Sequence, residues 1–327
     1  MKKKILQLGI FLIFFNLLSC ADSVKKIQTE DEQKAPVEKI NIPDFNADSA
    51  YLFVQKQLSF GPRVPESKAH ELCGDYLVQT LKRYTPTVLT QAFKSRLANK
   101  TIVNGTNIIA TFQPEKKNRI LLCAHWDSRP FADKDLDSTK HNDPIDGAND
   151  GASGVGVLLE IARQLSLHNT KVGIDILFFD VEDSGDYGSN DSWALGSQYW
   201  AKNTHQPNYR ARFGILLDMV GASNPTFTQE STSRQYAPDI IKKVWATAKR
   251  IGYQDYFIDM KTGGILDDHV YINQFLGIPT IDIIHYNDQT SSGFFEHWHT
   301  TKDNLESIDK FSLKIVGQTV LTVIYEE

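Results

Sequence analysis

Three short, almost wholly apolar runs recur along the chain: ILLCA at 120–124, IDILFF at 174–179 and FGILL at 213–217. Segments with apolar residues at helical spacing separate them. A strand that is apolar on both faces must be covered on both faces, as happens when parallel strands alternate with helices. The same periodicities predict helices over 47–58, 67–84, 155–167, 194–202, 240–251, 270–276 and 308–327. They predict further strands over 88–93, 107–112 and 280–284, and place the three apolar strands at 119–124, 174–179 and 213–218. The expected fold class is α/β, a single domain whose mostly parallel central sheet is covered by helices on both faces. In such sheets the functional site gathers beyond the carboxyl ends of the strands.

The residues at those ends are of one chemical kind. ILLCA runs into His125-Trp126-Asp127, and the loop DGAND closes on Asp150 just before a glycine-rich helix start. IDILFF leads into Asp180-Val181-Glu182-Asp183, FGILL into Asp218, and a late loop delivers His297-Trp298-His299. A lone aspartate at a strand end is ordinarily a helix cap or an ion-pair partner. Several converging on one sheet edge repel one another and are costly to bury, a conflict that a divalent cation resolves. Histidine and carboxylate donors without cysteine suit a catalytic zinc better than a cysteine-rich structural zinc or an oxygen-only calcium site. No HExxH helix is present, so the ligands must come from separate elements. Neighbours such as Glu182 and Asp183 can point differently, one to the metal and one to the substrate as a general base. Gly151 and Gly154 fit neither the P-loop nor the dinucleotide fingerprint, and close helix-to-sheet approach accounts for them. Trp126 and Trp200 read as packing, and His70, His141, His168 and His205 as solvated groups. Trp193, in the polar stretch SGDYGSNDSW, is an aromatic that packing explains poorly.

With 40 acidic against 35 basic residues, a formal net charge of −5 and 41% hydrophobic content, the chain is of ordinary globular composition. It has no electrostatic footprint for nucleic acid. Three cysteines cannot make a disulfide-dense scaffold. Lys2, Lys3 and Lys4 precede an apolar run from Ile5 to Leu18, shorter than the roughly 20 residues that span a bilayer, so the start reads as an export signal. The segment resembles a bacterial lipoprotein signal. That likeness implies cleavage after Ser19 and lipid on Cys20, the alternative being a plain signal peptide with an incidental cysteine. The expected organisation is a signal over 1–19, a lipidated cysteine and flexible polar linker over 20–45, and a catalytic domain over 46–327. The lipid would anchor the protein at the inner or outer membrane, facing the periplasm. Cys73 and Cys123 could form a disulfide or remain two buried thiols.

The ordered motifs GPRVP at 61–65, AHWDS at 124–128, DGASG at 150–154, FFDVED at 178–183, Leu217-Asp218, Asp267-Asp268-His269 and Trp298-His299-Thr300 resemble the zinc-dependent aminopeptidase-like superfamily, and within it the glutaminyl-peptide cyclotransferases. The resemblance implies one zinc held by Asp150, Asp183 and His299, with Glu182 as general base and acid. It places Asp218 and Asp267 in a catalytic hydrogen-bond network and Trp298, with Trp193, in the substrate pocket. His125, Asp268 and His269 are left for a second metal position or for support of the ligands. One departure stands out: the animal cyclases and most of the peptidases have Glu-Glu where this chain has Glu182-Asp183, one methylene shorter at the ligand. The implied reaction closes an N-terminal glutamine of a peptide or protein to pyroglutamate and releases ammonia. The same residues permit a two-zinc aminopeptidase, in which His125, Asp150 and Asp218 hold the second metal. A lipoprotein that binds without chemistry would lack a base or a ligand, and none is missing.

Overall fold

The computed structural model describes residues 41–327; the expected export signal, Cys20 and most of the expected linker lie outside the described residues. Helices α1 (Ala47–Leu58) and α2 (Lys68–Lys82) lead into strands β1 (Thr87–Arg96), β2 (Ile102–Phe112) and β3 (Arg119–His125). Then follow α3 (Ala152–Leu167), β4 (Gly173–Phe179), α4 (Leu195–Lys202), β5 (Phe213–Asp218), β6 (Phe227–Gln229), α5 (Ser231–Tyr236), α6 (Pro238–Arg250) and β7 (Phe257–Lys261). The chain closes with α7 (Asp268–Tyr271), which passes into a π-helical turn at Ile272–Leu276, β8 (Thr280–Ile284) and α8 (Lys310–Glu326).

Six strands form one sheet in the order β1-β2-β4-β3-β5-β8. β4, β3, β5 and β8 run parallel, while β2 joins β4, and β1 joins β2, antiparallel. The sheet is thus mixed, with a parallel half that carries the apolar runs. Alternation of side chains across the pleat explains those runs. Ile120, Leu122, Ile174, Ile176, Phe178, Ile215 and Leu217 enter a large core with α1, α3 and α8, whereas Leu121, Cys123, Leu177, Phe179 and Leu216 pack with Trp200 and Ile272 on the other face. Cys73 belongs to the first face and Cys123 to the second, and both are free, buried thiols.

Helix α3 approaches the sheet so closely that a Cβ on Gly154 would collide with the carbonyl of Leu217. Gly151, at φ +91°, makes the left-handed turn into the helix. Close packing, as the sequence suggests, is what these two glycines serve. The packed body begins slightly before residue 46: Phe45 is 3% exposed, its N–H donates to Gln318 (2.8 Å), and Gln318 Nε2 donates to the carbonyl of Pro43 (3.2 Å). Residues 43–45, expected in the linker, are therefore packed into the domain, with Phe45 in its core. Among the described residues no helix is long and apolar enough to cross a membrane.

Candidate metal centre and its pocket

The carboxyl ends of the parallel strands deliver the site. β3 ends on His125, β5 on Asp218, β4 passes into Asp180–Asp183, Asp150 precedes α3, and His299 lies in the loop between β8 and α8. Three of these turns use left-handed backbone at residues that are not glycine: Val181 (φ +56°), Met219 (φ +47°) and His299 (φ +54°). Such conformations persist only where surrounding contacts fix them. Asp180 supplies some of those contacts, accepting the N–H of Val181 (2.8 Å) and of Thr106 (2.6 Å) and pairing with His70 Nε2 (2.8 Å). Asp127 accepts the N–H groups of Glu182 (3.0 Å) and Asp183 (3.2 Å). Asp303 accepts those of Asn149 (2.8 Å) and Asp150 (3.1 Å). His70, expected in solvent, is instead 7% exposed and stacks on Trp126 at 4.2 Å, because its acidic partner lies 110 residues away on the sheet edge. His205, also expected in solvent, is half-buried and accepts the indole N–H of Trp200 (3.1 Å).

Two buried sets of donors share Asp150. In the first, His299 Nε2 lies 3.1 Å from Asp183 Oδ1 and 3.5 Å from Asp150 Oδ2. In the second, His125 Nε2 lies 3.0 Å from Asp150 Oδ1 and 3.2 Å from Asp218 Oδ1. The first set fits a divalent cation on two grounds. Both oxygens of Asp183 are buried and neither accepts a hydrogen bond, a costly state unless a cation is their partner. On the far side of the His299 ring, Nδ1 is 2.7 Å from the Tyr187 hydroxyl. A proton on Nδ1 donated to Tyr187 leaves Nε2 with its lone pair toward the carboxylates, the usual outer support of a metal-bound histidine.

Without a cation the carboxylates must share protons. Burial, reinforced by Asp267, Asp183 and Asp268, holds Glu182 well above the ordinary carboxylate range although His125 opposes it. Burial and the charge of Asp150 raise Asp183, and burial raises Asp218 to about 7 against the pull of His125. Asp150 is the exception: despite burial, its hydrogen bond to His125 and the nearby charges of His125 and His299 hold it low. A bound dication would replace those shared protons and favour the ionised ligands.

A cavity of about 410 Å³ opens over this cluster. Asp150, Asp183 and His299 all line it, with Glu182, Asp218 and Asp267; His125, 1% exposed, does not. Its apolar wall comes from Trp193, Trp298 and Tyr187. Trp298 stacks on His299 at 3.9 Å, and Trp193 lies nearly parallel to the same ring at 6.3 Å. The guanidinium of Arg129 sits 4.9 Å from the Trp193 ring, donates to the carbonyl of Asp183 (3.0 Å) and pairs with Asp133 (2.8 Å). Asp268 and His269 are buried outside the pocket lining, with His269 Nε2 3.3 Å from Glu230. Tyr187, Arg129 and Asp303 are contributors that sequence reasoning missed. Only Tyr187 carried a signal, as a second aromatic in the polar stretch that holds Trp193.

Residues 107–324 match the model of Peptidase family M28. The chain belongs to peptidase family M28. This M28 protein is 53% identical to the glutaminyl cyclase of Tannerella forsythia, with 87% of this chain and all of that one covered at a TM-score of 0.86. A Zn-dependent exopeptidase from Parabacteroides distasonis is 52% identical over 88% of this chain and all of its own, again with a TM-score of 0.86. The glutaminyl-peptide cyclotransferase of Bos taurus is 27% identical over 251 residues, 68% of this M28 chain and 66% of the bovine one. The α/β architecture expected from the apolar runs is thus that of the family.

Proposed function

We propose that this M28 protein is a zinc-dependent glutaminyl-peptide cyclotransferase, closing the N-terminal glutamine of peptides and proteins to pyroglutamate with release of ammonia. The observation that carries this reading is the asymmetry of the two donor sets. Asp150, Asp183 and His299 all face the aromatic pocket, while the second set depends on a histidine withdrawn behind it. One metal position is then open to substrate, as cyclisation requires. Likeness to the T. forsythia glutaminyl cyclase over that protein's whole length supports the same activity.

Zinc in this set would act as a Lewis acid toward the side-chain amide carbonyl of the glutamine. The remaining work is positioning, because the α-amine and the amide belong to one residue. Trp193, Trp298 and Tyr187 enclose the forming five-membered ring and keep out competing water. Asp218 and Asp267, which line the same pocket as Glu182, would accept hydrogen bonds from the N–H groups of the α-amine and of the amide nitrogen. Glu182 takes the proton released as the amine nitrogen bonds to the amide carbon, then hands it to the departing nitrogen, which leaves as ammonia. Its raised proton affinity suits a group that must both accept and return a proton.

A two-metal aminopeptidase remains the second reading, favoured by the approach of His125 to Asp150 and Asp218. Mass spectrometry of a Gln-initiated and a Leu-initiated peptide, with and without chelator, separates the two. Chelator-sensitive loss of ammonia from the Gln peptide alone is the cyclase result; release of a free N-terminal residue from either peptide is the peptidase result.

We propose as well that lipid on Cys20 anchors the protein at a membrane facing the periplasm, supported by the basic start, the apolar run and the residues around Ser19 and Cys20. Metabolic labelling with a fatty acid tests it, with incorporation in the intact chain and none after Cys20→Ser; label that survives the substitution sinks it.

A further inference from the structure

Outside the catalytic pocket lies a second cavity of about 690 Å³. Tyr286 walls both. The segment that follows runs between them, with Phe294 and Trp298 lining the catalytic pocket and Asp288, Phe295 and Glu296 lining the second. The fixed charges lining this second cavity have one sign: Asp288, Glu296 and Glu306 contribute carboxylates, no lysine or arginine lines it, and the other titratable groups there are the imidazoles of His285 and His297. Glu296 comes within 3.4 Å of His297 Nε2, but its side chain is 73% exposed, so that contact is worth little. The buried contributor is His285, only 5% exposed, whose Nδ1 is out of solvent and has no hydrogen-bond partner among the described residues. Burial pushes this imidazole down to about 4, so it is neutral at physiological pH and offers hydrogen bonding without repelling a cation. An unsatisfied neutral imidazole in a cavity whose lining also carries carboxylates matches a compact group that carries positive charge and several N–H donors, an ammonium or a guanidinium.

We infer that this cavity is a subsite for a lysine or arginine side chain downstream of the N-terminal residue of the peptide substrate. The inference rests on the cyclase reading for the identity of that first residue. A peptide held by its first residue in the catalytic pocket can continue past Tyr286, the shared wall, and place a later basic side chain between His285 and the acidic rim. Basic peptides would gain in kcat/KM, and the gain would fall with salt because the rim carboxylates are exposed.

The test uses Gln-initiated peptides with one lysine walked through the positions after glutamine, each paired with a glutamate counterpart, and a short glutamine amide with nothing downstream. The expected result is a lysine-over-glutamate preference of roughly tenfold at a particular position, the size of a few exposed charge pairs acting together. The triple variant Asp288→Asn, Glu296→Gln, Glu306→Gln should bring that preference toward unity and leave the short amide unaffected. The inference is overturned if the wild-type protein shows no preference, if the preference survives in the triple variant, or if the short amide slows as much as the lysine peptide. Mass spectrometry reports ammonia loss and N-terminal residue release separately. Failure of the cyclase reading would therefore appear in the product, and failure of the subsite in the lysine-to-glutamate ratio.

Discussion

Glu182 and Asp183 are neighbours in sequence with different tasks, and the difference comes from what each touches. Asp183 has two buried oxygens that accept no hydrogen bond and faces His299 and Asp150, which suits the ligand role proposed for it. Glu182 lines the same pocket, where burial and the neighbouring carboxylates raise its proton affinity, which suits the proton-carrying role proposed for it. Glu182→Gln should therefore lower kcat by about 10²- to 10⁴-fold while zinc content and thermal stability stay at wild-type values, read by ammonia release, elemental analysis and calorimetry. Near-wild-type turnover in that variant would end the mechanism proposed here. Trp298→Ala removes a ring stacked on His299 and should raise KM by about three- to tenfold, the range of one aromatic contact, as steady-state kinetics would show. At this scale the sequence was informative wherever a residue's neighbours along the chain set its surroundings. The adjacent Glu182-Asp183 and the pair Trp298-His299 were legible for that reason. His70 was not, because nothing beside it in the helix α2 sequence announces Asp180.

The short turn after β4 gathers the constraints of distant elements. Val181 holds its left-handed backbone because Asp180 and Asp127 accept N–H groups on either side of it, and α2 reaches across to Asp180 through His70. His70→Ala would remove one of the two partners of Asp180 Oδ1, which keeps the N–H of Val181, and the loss of that buried charge-assisted contact should cost about 1–3 kcal/mol. The expected outcome is a lower midpoint of denaturation together with a fall in kcat, since Glu182 rides on the same turn. A stability loss with unchanged kcat would mean that the turn does not depend on α2. The parallel half of the sheet was readable because burial on both faces writes itself as continuous apolar runs. β1 and β2 were found as strands, but their antiparallel pairing depends on a connection too short for a crossover, a signal in loop length rather than in periodicity. β6 and α5, at 3 and 6 residues, are too brief for either period to register, and β7, as short as β8 but largely unburied, lacks the apolar run that marks β8.

Charge balance in the whole molecule turns on the metal. Asp218 and Asp303 are both raised to about 7, each chiefly by burial, from an ordinary value near 4. A carboxyl whose folded pKa is raised contributes stability that is complete below its unfolded pKa and is lost as pH rises through the folded one. Protein stripped of metal should accordingly lose stability between about pH 4 and 7 on account of these groups. A bound dication supplies the missing counter-charge, so the gap in Tm between zinc-loaded and chelated protein should widen as pH rises from about 5 to 8. Thermal melts across that range check it, and a gap independent of pH would contradict the picture of proton-sharing carboxylates.

The central claim is that the metal at Asp150, Asp183 and His299 is the one that works. Zinc titration of chelator-stripped protein, with ammonia release from a Gln-initiated peptide and residue release from a Leu-initiated one followed together, tests it most directly. Ammonia release should saturate at about one zinc per chain, as a single open catalytic site requires, with the Leu peptide untouched throughout. Activity that appears only with a second equivalent, accompanied by free leucine, would contradict it and give His125 and Asp218 the role of ligands.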